Sequence, residues 1–131
     1  MTRHWTTCAS GRATVFHRPD ALPDTGRVLI LSPCENIPGM FEPTHMFHIV
    51  RARSISLGAE LLGNIEPDVI VAPIVGQHHD ILEVGEALRD LGFQGTLCAV
   101  SKPPIKAGLV MAELRNACPK LRVCLAEAIA E

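Results

Sequence analysis

Three short clusters in this sequence could do chemistry if the fold brought them together: Cys34-Glu35, His78-His79-Asp80 and Ser101-Lys102. Thiolate, imidazole and carboxylate are zinc ligands, and an imidazolium beside a thiol lowers its pKa toward that of a nucleophile. The second cluster also has a plain structural reading. Asp80 stands just before a helical stripe and reads as its N-cap, which leaves His78 and His79 on an exposed loop. No Cys-x-x-Cys or His-x-x-x-His spacing completes a ligand set, so neither a metal nor a cofactor is expected. Lys102 could attract an anion, but Lys102-Pro103-Pro104 serves equally as a stiff entry into a helix. Gly76 lacks the glycine pattern of a phosphate-binding loop. His45 and His48 would share a face only in a helix; in a strand, three residues apart means opposite faces.

The elements that must position these clusters alternate between strand and helix from residue 27 onward. Arg27–Leu31 is an apolar strand ending at Ser32-Pro33, followed by an irregular stretch containing Pro38-Gly39 and Pro43. Phe47–Arg53 is predicted as a second strand, half exposed through its two arginines. Ser56 is expected to cap a short helix over Leu57–Asn64. Pro67–Pro73 is a third, wholly apolar-faced strand, stopped by its own proline. Asp80–Leu91 has the clearest helical stripe, through Ile81, Leu82, Val84, Leu88 and Leu91, and Gly92 closes it. Thr96–Val100 is a fourth strand, and Ile105–Ala117 a helix offering Leu109, Val110, Ala112 and Leu114 to the core. Leu121–Leu125 is a fifth strand, after which only a short tail follows.

Strands joined through helices of about ten residues imply a parallel sheet with right-handed crossovers. The expected fold class is therefore α/β: a five-stranded, parallel, doubly wound sheet in the order 2-1-3-4-5, with the last helix missing or truncated. In such a sheet the crevice lies beyond the carboxyl ends of the strands, where Cys34-Glu35, His78-His79-Asp80 and Ser101-Lys102 should meet. Residues 1–26 differ in character, being rich in Thr, Arg and His with one plausible strand at Arg12–His17. They read as an N-terminal extension to an α/β domain over residues 27–131.

Pro67-Asp68-Val69-Ile70-Val71-Ala72-Pro73 resembles the central strand of response-regulator receivers, which begins with a similar Pro-Asp and ends on the phosphoacceptor aspartate. That last position is Pro73 in this chain. The resemblance spans residues 27–126 and implies a receiver-like, flavodoxin-like fold without receiver chemistry. Receivers hold magnesium with an acidic pair after their first strand; Ser32 and Pro33 stand there, with Glu35 displaced by two. Ser101 matches the receiver hydroxyl at the end of the fourth strand. Ala126-Glu127 replaces the lysine at the end of the fifth.

With 12 basic and 14 acidic residues, the net charge of -2 gives no electrostatic case for nucleic acid. Apolar runs such as Val69–Val75 are too short to span a bilayer, so no membrane is expected and a cytoplasmic location is the default. The five cysteines are odd in number and read as free thiols. The function implied is that of a non-catalytic pseudo-receiver, an interaction domain in signalling or transcriptional regulation. The alternative is a small flavodoxin-like enzyme or ligand-binding protein using the Cys34, His78 and Lys102 crevice. A protein partner is expected, with a homodimer favoured because Val123 and Leu125 lack a covering terminal helix. Trp5, Val15 and Phe16 of the N-terminal extension are the other candidate cover.

Overall fold

A computed structural model of the chain describes residues 4–9, 12–17, 23, 25–32, 47–75, 80–101 and 107–127. Five strands form one all-parallel sheet: β3 (Gly26–Ser32), β4 (Phe47–Arg53), β5 (Val69–Pro73), β6 (Thr96–Ser101) and β7 (Arg122–Glu127). Their order across the sheet is β4-β3-β5-β6-β7, the flavodoxin-like order that the strand–helix alternation predicts. β5 is the middle strand, and Val69, Ile70 and Val71 are fully buried, as expected of a strand covered on both faces. β4 lies at one edge, and Arg51 and Arg53 are exposed there.

Among the described residues, three helices connect the strands: α1 (Ala59–Ile65), α2 (Ile81–Asp90) and α3 (Ala107–Ala117). All three pack on one face of the sheet. Leu61, Leu62 and Ile65, then Ile81, Val84 and Leu88, then Ala107, Met111 and Leu114 join Leu29, Leu31, Ile70, Ala72, Leu97 and Ala99 in one core cluster. Alternate strand residues point the other way. Val28, Ile30, Val69, Val71, Cys98, Val100 and Cys124 form a second buried cluster to which no described helix contributes. α2 and α3 approach closely at Gly85, where an added Cβ would strike the buried Leu114 side chain.

Several local expectations need correction. Ser56 does not cap a helix, because the chain leaving β4 first makes a 3-10 turn over Ser54–Ser56. α1 starts later, from Gly58, which offers no capping side chain, and it ends on Glu66 in the left-handed region at φ 50°. In α3 the buried positions are Ala107, Met111 and Leu114, whereas Leu109 and Ala112 are exposed. Spacing decides this: 107, 111 and 114 make one continuous stripe, and Leu109 falls about 160° away from Met111 around the axis.

The N-terminal extension holds two strands rather than one. β1 (His4–Ala9) pairs antiparallel with β2 (Arg12–His17), in a register that sets Trp5 opposite Phe16 and Thr6 opposite Val15. β2 lies beside β7 without joining the five-stranded sheet. That position favours the N-terminal segment as neighbour of the last strand. Val123 and Leu125 are half-buried, packed toward the helical core. Of the tail expected after Leu125, Ala126 and Glu127 complete β7, and residues 128–131 lie outside the described residues.

Candidate functional site

The carboxyl ends of the strands, where the sequence places its crevice, are built around the end of β5. Pro73 is the last residue of that strand, half-buried and aligned with Val100 of β6. It has neither a side-chain oxygen nor a backbone N–H to offer there. Immediately beyond it, the Ile74 N–H donates to the Val100 carbonyl at 3.0 Å, and the Ile74 carbonyl accepts from the Ile81 N–H at 3.1 Å. Ile74 is buried and Val75 exposed. The end of the central strand is therefore an apolar turn that ties β5 to β6 and to the start of α2.

Asp80 is the N-cap of α2, as its position before the helical stripe predicts. Its Oδ1 accepts the Glu83 N–H at 2.9 Å, and Glu83 Oε1 accepts the Asp80 N–H at 3.3 Å, a complete capping box. The two carboxylates occupy the positive end of the helix dipole. An incoming phosphate would meet their negative charge rather than free amides. Asp80 is thus engaged structurally.

Ser101 closes β6 in register with Glu127 of β7. Its side chain is only 3% exposed, and its Oγ finds no hydrogen-bond partner among the described residues. A buried hydroxyl in that state costs about 1–3 kcal/mol. Cys34, Glu35, His78, His79 and Lys102, with His45, lie outside the described residues. The structure therefore brings Asp80 and Ser101 to the same edge of the sheet and does not describe the remainder of the predicted crevice. His48 is exposed on the edge strand. Among the described residues no three His, Cys, Asp or Glu side chains gather as a metal site.

The amino ends of the strands hold a tighter polar arrangement that the sequence reading missed. Asp68, the second residue of the Pro-Asp motif, precedes β5 and joins three strands. Its Oδ2 accepts the Arg27 N–H at 2.9 Å, its own N–H donates to the Arg27 carbonyl at 2.8 Å, and its carbonyl accepts the Thr96 N–H at 3.0 Å. Gly26 makes room for that carboxylate. It adopts φ 142°, which side chains rarely tolerate, and a Cβ there would come within 2.6 Å of Asp68 Oδ2. Arg27 Nη1 reaches the Ile65 carbonyl at 3.2 Å, and Arg122 Nη2 the Gln94 carbonyl at 3.1 Å. A cleft of about 760 Å³ opens beside this clamp, lined by Pro67, Asp68, Phe93, Gln94, Thr96 and Arg122 among others. The hydrogen bonds of Asp68 and Arg122 to the backbone give both charges an architectural role.

Cys98, Cys118 and Cys124 form no disulfide. Cys118 belongs to the helical face of the core, and burial pushes its thiol pKa up, against a smaller opposing pull from Arg89. Arg89 itself is held further in its charged form by its hydrogen bond to Asp90 at 3.1 Å. No described helix is long and apolar enough to cross a membrane. Compared with known proteins, the chain matches no family model, no curated protein and no solved structure.

Proposed function

We propose that this chain is a non-catalytic pseudo-receiver, an interaction domain of signalling or transcriptional regulation that works by binding protein, with a second copy of itself as the first partner. The observation that carries this reading is Pro73 at the end of the central strand, where phosphoryl chemistry needs an oxygen nucleophile. The spent carboxylate of Asp80 supports it, since that group is committed to its helix. The surface at this edge is also more suited to docking than to reaction. Ile55 follows β4, Val75 follows β5 and Leu109 stands in the first turn of α3, so the topology sets all three at the carboxyl edge. They are 59%, 67% and 79% exposed, respectively. Each would gain about 1.5–3 kcal/mol if fully buried against a partner.

Light scattering across a concentration series tests the proposal with the full chain and with Val75→Asp and Leu109→Asp. The expected result is a rise from monomer to dimer mass that each substitution shifts to at least tenfold higher concentration. A wild-type chain that stays monomeric throughout would refute self-association. A dimer indifferent to both substitutions would remove the carboxyl edge as its surface.

A further inference from the structure

The cleft at the amino end of the sheet carries opposite charges on two of its walls. Asp68, just before β5, supplies a carboxylate, and Arg122, the first residue of β7, supplies a guanidinium. Both residues are exposed, and Pro23, Pro67 and the half-buried Phe93 add apolar wall. We propose that this cleft binds a free α-amino acid with an apolar side chain, its ammonium on Asp68 and its carboxylate on Arg122. The site is separate from the docking surface at the carboxyl edge and does not depend on it.

Strand register sets the spacing of the two charges. Val69, Thr96 and Arg122 stand in line across β5, β6 and β7, so Asp68, one residue before Val69, lies two strands from Arg122. Two strand spacings are roughly 9.6 Å. Both side chains lean the same way across the sheet. Arg122 Nη2 reaches back to the Gln94 carbonyl, just before β6, and Asp68 Oδ2 reaches to the Arg27 N–H of β3. The charged groups therefore stay near two strands apart, well beyond an ion-pair contact of about 4 Å. A hydrogen bond of about 2.9 Å at each end and backbone bonds of about 1.5 Å between let an α-amino acid span roughly 9 Å. It fits that gap.

The backbone hydrogen bonds do not exhaust either group. A carboxylate offers two oxygens and a guanidinium several N–H donors, and the Arg27 N–H and the Gln94 carbonyl each engage one. Gly95 keeps the floor between them low, because a Cβ there would strike both the Asp68 carbonyl and the Phe93 ring. Charge then selects the ligand class. A simple carboxylate gains Arg122 but meets Asp68, and a simple amine does the reverse; a zwitterion satisfies both. Phosphates and nucleotides carry excess negative charge toward Asp68. The two prolines and Phe93 favour an aliphatic or aromatic side chain on the ligand. Exposed charge pairs are individually weak, so the affinity expected is millimolar.

Titrating the isotope-labelled full chain with free leucine, read through backbone amide chemical shifts, tests the site. Saturable shifts are expected at Gly95, Thr96 and Arg122. Isocaproate, which is leucine without its ammonium, and isopentylamine, which is leucine without its carboxylate, should each bind at least tenfold more weakly. Asp68→Asn keeps an oxygen for the Arg27 N–H and should lower leucine affinity at least tenfold without weakening isocaproate. Arg122→Gln should lower leucine affinity as much without weakening isopentylamine. A purely architectural role for the two residues would not exchange ligand preference in this way. Three outcomes in the wild-type chain would overturn the proposal, and none needs a variant to fold: no saturable shift up to the solubility of leucine, equal binding of all three probes, or shifts confined to the carboxyl ends of the strands. Variants that fold and bind leucine as the wild type does would overturn it as well.

Discussion

The two ends of the parallel sheet are built differently. At the amino end, the carboxylate, backbone N–H and carbonyl of Asp68 bind β3, β5 and β6 together, and Gly26 is shaped around the carboxylate. At the carboxyl end, Pro73 offers no oxygen, Asp80 serves its own helix, and the Ser101 hydroxyl is buried without a described partner. The sequence motif that resembles a receiver spans both ends, and its two halves have separate meanings. Pro67-Asp68 begins the strand with a clamp for the scaffold, whereas Pro73 ends it without a side-chain oxygen. Resemblance in such a motif supports a fold and leaves the reaction to be argued from the site.

The largest effect should come from the strand that joins the two ends. Ile70→Ala removes a fully buried side chain from the centre of the sheet and should cost about 2–5 kcal/mol in denaturant unfolding. A loss below about 1 kcal/mol would mean that β5 does not carry the core. Next is the amino-end clamp. Asp68→Ala leaves the Arg27 N–H without its carboxylate and should cost about 1.5–3 kcal/mol, the range for hydrogen bonds to charged groups. An effect within about 0.5 kcal/mol would reduce Asp68 to an ordinary surface residue.

Ser101→Ala should behave in the opposite sense. Removing a buried hydroxyl that has no described partner should leave stability unchanged or raise it by about 1 kcal/mol. A loss greater than about 1 kcal/mol would reveal a hydrogen bond to Oγ and make the carboxyl end as tightly knit as the amino end. The contrast between Asp68 and Ser101 is therefore a difference in sign, measurable with two conservative variants.

Much of the scaffold was legible because its signals are local. Apolar runs marked β3 to β7, and the place of Asp80 before an apolar stripe marked the cap of α2. β1 is signalled only by Ser10-Gly11 between two Thr-containing runs, a hairpin signature that the unusual composition of residues 1–26 obscures. Hydrophobicity alone points Leu109 and Ala112 to the core, but the phase of Ala107, Met111 and Leu114 decides which side of α3 is buried. The Asp68 clamp was illegible for a different reason. Its partners, Arg27 and Thr96, lie 41 and 28 residues away, and only the sheet register brings them together. Of the candidate crevice, the role of Asp80 was readable from its spacing, whereas the solitary burial of Ser101 depends on packing from distant segments.

The central claim is that the carboxyl end of β5 cannot accept a phosphoryl group. Incubating the full chain with acetyl phosphate and magnesium, then measuring intact mass, tests it most directly. The account predicts no change in mass over the time in which an active receiver is modified. One added phosphoryl group, mapped to Glu35, Asp80 or any residue beside Pro73, would contradict it.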